Sequence, residues 1–177
     1  APNAKEIYLI GDFNDWKEHG DYRMYHVKNS PGVWEVELQS GAIKHGDLYK
    51  LKVRWNGGEG ERIPAWANRV VQDEQTKIFS AQVWEPENPY RFRKKVFRAK
   101  TDPLMIYECH IGMAQEEERV GTYNEFREKI LPRIAEAGYN CIQIMAIQEH
   151  PYYGSFGYHV SSFFAPSSRF GTPDELK

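Results

Sequence analysis

LMIYECHIGMAQEEERVGTYNEFREKILPRIAEAGYNCIQIMAI, residues 104–147, sets two strand-like apolar runs on either side of an amphipathic helix. The first run, 104–111, is mostly apolar and of strand length. The second, 141–147, is an apolar run broken only by Gln143, as suits a parallel strand covered on both faces. Between them Thr122 and Glu125 stand three apart, the spacing of a capping box that satisfies the free amides of a helix start. Phe126, Ile130, Ile134 and Ala137 then recur at helical spacing, and Gly138 supplies the stop. Pro132 lacks an amide and crowds the carbonyl four residues back, so it should bend the helix without abolishing it. Strand, helix and strand in this order make one βαβ unit. Thr172-Pro173-Asp174-Glu175 repeats the helix-start chemistry just before Lys177. One helical turn cannot hold itself together in water, so the polypeptide is expected to be truncated there.

Upstream the rhythm is different. Short runs at 7–10, 22–27, 33–38, 48–55 and 78–83 are separated by Gly11-Asp12, Asn14-Asp15, Ser30-Pro31-Gly32, Gly46-Asp47 and Asn56-Gly57-Gly58. These breaks are rich in residues that tolerate turn dihedrals, which predicts an all-β sandwich over 1–88, immunoglobulin-like in class. Residues 89–103 read as a linker or solvated strand edge, with Arg91, Arg93, Lys94, Lys95, Arg98 and Lys100 alternating with Phe92, Val96 and Phe97. The α/β piece occupies 104–177.

The net charge of −2 gives no field that would draw the chain to nucleic acid or an anionic membrane, and no apolar run has the length of a membrane span. Aromatics make up 14% of the chain, and their flat apolar faces suit either a β-rich core or the C–H faces of sugars. Cys109 and Cys141 lie in separate strand-like segments outside any metal-ligand spacing and read as reduced thiols. Glu108 and His110 share a strand face but lack a third ligand at useful spacing, so a buried polar network is expected there rather than a metal. Glu149 and His150 receive the same structural reading.

Several stretches in order resemble the glycogen and starch branching enzymes of the α-amylase superfamily. Leu9-Ile10-Gly11-Asp12-Phe13-Asn14-Asp15-Trp16 is similar to the hallmark of their amino-terminal glycogen-binding module, and Tyr49-Lys50-Leu51-Lys52 to that module's inner strand. Ile106-Tyr107-Glu108-Cys109-His110-Ile111-Gly112-Met113 resembles their first barrel strand, and the tract 131–177 their second strand and the loop after it. The resemblance implies a glucan-binding sandwich followed by a truncated piece of a (β/α)8 barrel. It also implies a cytoplasmic parent enzyme that needs no cofactor or metal. That parent would cut an α-1,4-glucan and transfer the segment to a 6-hydroxyl with retention, using two carboxyl groups roughly 5 to 5.5 Å apart. The family's catalytic carboxylates would lie beyond Lys177, and Glu108, Glu149, Asp174 and Glu175 stand in no catalytic motif. The chain alone is therefore expected to be inactive, and its incomplete barrel to self-associate.

The resemblance also nominates substrate-binding residues. Phe156-Gly157-Tyr158-His159 matches the loop lining the donor site, with Tyr158 placed to stack on a sugar and His159 to offer a hydrogen bond. In the sandwich Trp16 is the candidate platform, set against the alternative of a core residue. Lys50 and Lys52 are candidates to reach hydroxyls near it, and the turn Pro31-Gly32-Val33 to border the same groove. Trp34, Trp55, Trp66 and Trp84 are assigned to packing. The other reading is a module that captures α-glucan on its own, without catalysis.

Overall fold

A computed structural model of the protein describes residues 1–92 and 103–177. Two compact units emerge, Ala1–Pro86 and Glu87–Lys177. Most of the basic connector, 93–102, lies outside the described residues.

The first unit is all-β. It contains β1 (Ala4–Gly11), β2 (Tyr25–His26), β3 (Trp34–Glu35), β4 (Leu48–Trp55), β5 (Gly58–Arg62), β6 (Val70–Gln72) and β7 (Phe79–Gln82). The centre is β4, which pairs antiparallel with β1 along one edge and shares its other edge between β7 and β5. Strand β6 closes the far side against β7. The sandwich expected from the rhythm appears as this five-stranded sheet plus a separate β2–β3 ribbon. The ribbon segment runs along the free edge of β1 through a bridge between Tyr8 and Arg23 and a bond from Met24 N to Ile7 O of 2.8 Å. The runs 22–27 and 33–38 keep only two strand residues each, the first with the bridged Arg23 besides, whereas 48–55 is a strand throughout.

Register fixes what each face carries. Ile7 lies opposite Val53 and Leu9 opposite Leu51, so these apolar side chains share one face, and Ile7 is 2% exposed. The other face carries Tyr8 and Ile10 opposite Lys52 and Lys50, with Glu59 and Glu61 alongside from β5. Asn56-Gly57 is a hairpin turn joining β4 to β5, with Gly57 at φ +85°.

The second unit holds β8 (Ile106–Cys109) and β9 (Cys141–Ile144), which pair in parallel across an intervening helix. That helix runs as α1 (Tyr123–Glu125), a π turn (Phe126–Ile130) and α2 (Leu131–Glu136). The π turn is the accommodation to Pro132: Leu131 N bonds to Phe126 O, widening the ladder just before the residue with no amide to give. Tyr123, Phe126 and Ile134 are buried with Cys109, Ile111 and Phe170, whereas Ala137 stays exposed. Gly138, at φ +91°, ends the helix with Tyr139 N bonded to Ile134 O and Gly138 N to Ala135 O. The unit continues through β10 (Gln148–Glu149), β11 (Ser162–Pro166) and α3 (Pro173–Leu176). Strands β10 and β11 pair antiparallel.

Both capping boxes form. Glu125 N donates to Thr122 Oγ1 at 3.2 Å, and Thr122 N returns a bond to Glu125 Oε2 at 3.2 Å. Thr172 and Glu175 do the same at α3. The Arg119 guanidinium, paired to Glu125, together with the Thr122 cap holds that carboxyl down at about 2 from an ordinary 4.5. Because the folded value is depressed, this contribution is fully present above about 4.5 and is lost as pH falls through about 2. Amide protection at 123–126 is accordingly expected to drop over that acid window, and Glu125→Gln to show the drop already at neutral pH. Helix-start protection that ignores both changes would refute the assignment.

Both cysteines are free. Burial, with a smaller contribution from Glu108, pushes the Cys109 thiol up, which keeps it protonated and unreactive.

Candidate glucan-binding site

In the first unit the loop after β1 is built around Trp16. Asn14 ties the loop shut: Gly11 N donates to its Oδ1 at 2.9 Å, and its Nδ2 donates to Leu9 O at 3.0 Å. Asp15 and Trp16 both sit in left-handed backbone, at φ 53° and 59°. Trp16 N bonds Gly11 O at 2.9 Å, and its indole Nε1 donates to Asp12 Oδ1 at 2.9 Å. The second oxygen of Asp12 accepts Leu48 N at 2.7 Å, so one carboxylate anchors the indole to the start of β4. Phe13, in the same loop, stacks on Tyr22 at 5.2 Å.

Trp16 keeps 37% of its surface exposed, and the Lys50 ammonium lies 5.9 Å from its ring centroid. Lys50 also pairs with Glu61 at 3.1 Å, and Lys52 pairs with Glu59 at 2.7 Å. Arg54 joins Glu59, Glu18 and Glu6, extending the ladder of charge along the face. The structure thus brings Trp16 and Lys50 together, with Lys52 two residues along the same face. Both lysines are held by carboxylates, a restraint that sequence alone did not reveal.

Pro31, Gly32 and Val33 are elsewhere, and the common groove expected for them with Trp16 does not form. Gly32 packs on Pro2 and its carbonyl accepts the amino terminus at 2.5 Å, beside the start of β1. Trp16 sits at the opposite end of that strand. Eight extended residues separate the two ends by about 23 Å. Trp66 also departs from expectation: it is 77% exposed rather than packed. Trp34 stacks on His26, Trp55 packs under Arg62 and Trp84 lies between His45 and Arg69. A separate polar groove of about 940 Å³, lined by Tyr22, Arg23, Tyr25, Glu35 and Glu37 among others, went unread because 36–38 resembled an ordinary paired strand.

In the second unit Phe156, Gly157, Tyr158 and His159 form one tight loop near the carboxyl ends of β8 and β9, the end where ligands meet parallel sheets. Phe156 and Gly157 take left-handed backbone, at φ 52° and 84°. Gly157 is buried against Ala146, just past the end of β9. Phe156 O lies 3.3 Å from His110 Nε2, which must carry the proton to bond a carbonyl. Tyr153 OH donates to Gly112 O at 3.2 Å. The loop is thereby pinned on both strands while Tyr158 projects with 79% of its surface exposed, and His159 is exposed beside it.

Glu108 and His110 form no joint network. Glu108 is exposed and accepts from Gln143 of the neighbouring strand at 3.0 Å, whereas His110 turns inward against Phe170. Their alternation breaks down because β8 ends at Cys109. Glu149 and His150 are both fully buried. Among the described residues no group of three or more His, Cys, Asp or Glu side chains is placed to hold a metal.

Residues 1–67 match carbohydrate-binding module 48, described as the isoamylase N-terminal domain. A 1,4-alpha-glucan-branching enzyme of Dictyostelium discoideum is 43% identical over 182 residues, covering 99% of this chain and 26% of that protein. The Arabidopsis thaliana 1,4-alpha-glucan-branching enzyme 2-2, chloroplastic/amyloplastic, is 46% identical over 184 residues, covering 100% of this chain and 22% of its own length. The chain therefore spans about a quarter of the length of these relatives. In fold it is similar to a pullulanase from Anoxybacillus sp. LM18-11 solved with maltotetraose. The TM-score there is 0.70 at 21% identity, over 99% of this chain and 29% of that one. Over its whole length the chain is thus similar to about a quarter of these 1,4-alpha-glucan-branching enzymes, and residues 1–67 match carbohydrate-binding module 48.

Proposed function

We propose that this chain binds α-1,4-glucan for a branching enzyme through Trp16 and Lys50, contributes Tyr158 to the donor side of that enzyme's active site, and is catalytically inactive by itself. The observation that carries the binding reading is the preformed Trp16 platform, braced by Asp12 and leaving ring surface open to a sugar. Inactivity is supported by four carboxylates of the second unit. Glu108 is bonded to Gln143, Glu149 is buried, Glu175 caps α3 and Asp174 pairs with Lys177, so none of the four is presented with a partner as an acid and nucleophile pair. The reaction assigned to the parent is retaining transfer of an α-1,4 segment to a 6-hydroxyl. Tyr158 would stack on the donor sugar and His159 would hydrogen-bond its hydroxyls.

Calorimetric titration with maltoheptaose tests this. Trp16→Ala is expected to weaken binding by about tenfold or more, the range for losing an anchoring aromatic. Tyr158→Ala should leave the Trp16 site intact and remove any second, weaker isotherm. If the unmutated chain binds nothing, or Trp16→Ala binds as well as it does, the module reading is wrong. Formation of α-1,6 branches by the unmutated chain would overturn the inactivity.

A further inference from the structure

We propose that Glu149 is a positioning residue that closes the 150–161 loop between β10 and β11 and so holds Tyr158 in place for glucan; the functional half rests on the reading above. Five hydrogen bonds converge on this one residue. Its side chain accepts His150 N at 3.0 Å and the Ser167 hydroxyl at 3.4 Å on Oε1, and Ser168 N at 2.7 Å on Oε2. Its backbone carbonyl accepts both Ser161 N at 2.9 Å and Ser161 Oγ at 3.2 Å. The donors come from the start of the loop, its end and the chain just beyond β11, so a single side chain and carbonyl gather the whole excursion that carries Tyr158.

Glu149 is 0% exposed, and among the described residues its side-chain partners are neutral donors rather than a cation. Burying a carboxylate without a counter-ion is costly, and an amide or apolar residue would fill the space at less expense. What the carboxylate provides is acceptor capacity on both oxygens for donors separated by the full loop. Neighbouring His150 is equally buried, spends Nδ1 on Gln148 O and, among the described residues, leaves Nε2 without a hydrogen-bond partner. The holding function therefore falls to Glu149.

Glu149→Gln keeps the shape but turns a donor toward one of the two amides. Segment-resolved hydrogen exchange is expected to speed up by about tenfold or more at 150–161, with 123–136 and 48–55 unchanged. Ser167→Ala, which deletes one donor, should loosen the same segment by a smaller factor and stands in if the Gln variant fails to fold. Unchanged exchange at 150–161 in a folded variant overturns the clip. In a Trp16→Ala background, Glu149→Gln should weaken maltoheptaose binding as Tyr158→Ala does, and the two together no further than either alone. Additive losses, or full affinity with Glu149→Gln where Tyr158→Ala abolishes it, overturn the positioning role. If Tyr158→Ala has no effect, the donor-site reading fails, and the clip still stands or falls by the exchange data.

Discussion

Phe170→Ala is expected to destabilise the second unit by about 3–5 kcal/mol, the range for truncating a fully buried phenylalanine. Phe170 is 0% exposed, and its ring packs edge-on against Tyr123 at 5.8 Å and His110 at 5.6 Å, with His150 tilted against it at 6.1 Å. It therefore joins the helix, the end of β8 and the segment after β10 in one contact. Its carbonyl also accepts Tyr123 N at 2.8 Å, fixing the start of α1. One effect works the other way. Among the described residues His110 Nδ1 and His150 Nε2 are buried without hydrogen-bond partners, and water entering the vacated ring site beside the two imidazoles would reach them. Hydration of those nitrogens offsets part of the cavity cost, so the lower end of the range is favoured. For a unit of this size each kcal/mol moves the midpoint by about 4–8 °C, so a shift of at least about 12 °C should be seen by calorimetry. A shift below about 4 °C would mean that Phe170 is not the keystone of this core. Phe170→Leu, which keeps apolar volume, should recover a good part of the loss.

The local chemistry of the helices was legible from sequence because it is local. Thr122 with Glu125, and Thr172 with Glu175, satisfy amides within one turn, and no distant contact can change that need. Strand β4 was equally legible, being eight residues long and carrying Tyr49, Val53 and Trp55. Strand β5 was not: Gly58-Glu59-Gly60-Glu61-Arg62 has neither apolar alternation nor β propensity. It is a strand because Glu59 and Glu61 pair with Lys52, Arg54 and Lys50 across the ladder. The same limit governs the candidate site. The turn at Pro31-Gly32 was read correctly as a turn, but its place beside Pro2 follows from how the ribbon folds along β1, which no window of sequence contains. Trp16 and Tyr158 were found by resemblance. Their supports are long-range: Asp12, which bonds the Trp16 indole, also reaches Leu48, and Glu149, the proposed clip, reaches Ser168, pairings that no local pattern signals.

Gly157→Ala is the second large effect, and Gly138→Ala is its control. Both glycines have left-handed backbone, at φ +84° and +91°, so an alanine at either pays the conformational cost of about 1–2 kcal/mol. They differ in surroundings. A Cβ at Gly138 meets nothing within 4 Å, whereas one at Gly157 collides with Ala146 Cβ and lies 2.9 Å from its Cα and 3.0 Å from its carbonyl oxygen. Ala146 cannot yield cheaply, since it is itself left-handed at φ 56°. The overlap adds about 1–3 kcal/mol, so Gly157→Ala should cost about 2–5 kcal/mol in total against about 1–2 for Gly138→Ala. The strain has one easy outlet, which is to lift the 156–159 turn off the end of β9. Tyr158 would then leave its position while helix and sheet persist. Gly157→Ala should therefore abolish the Tyr158-dependent part of glucan binding, whereas Gly138→Ala should preserve it at a lowered melting temperature. Equal destabilisation by the two substitutions would show that the contact with Ala146 does not set the loop, and retained Tyr158 binding in Gly157→Ala would show that the turn tolerates being lifted.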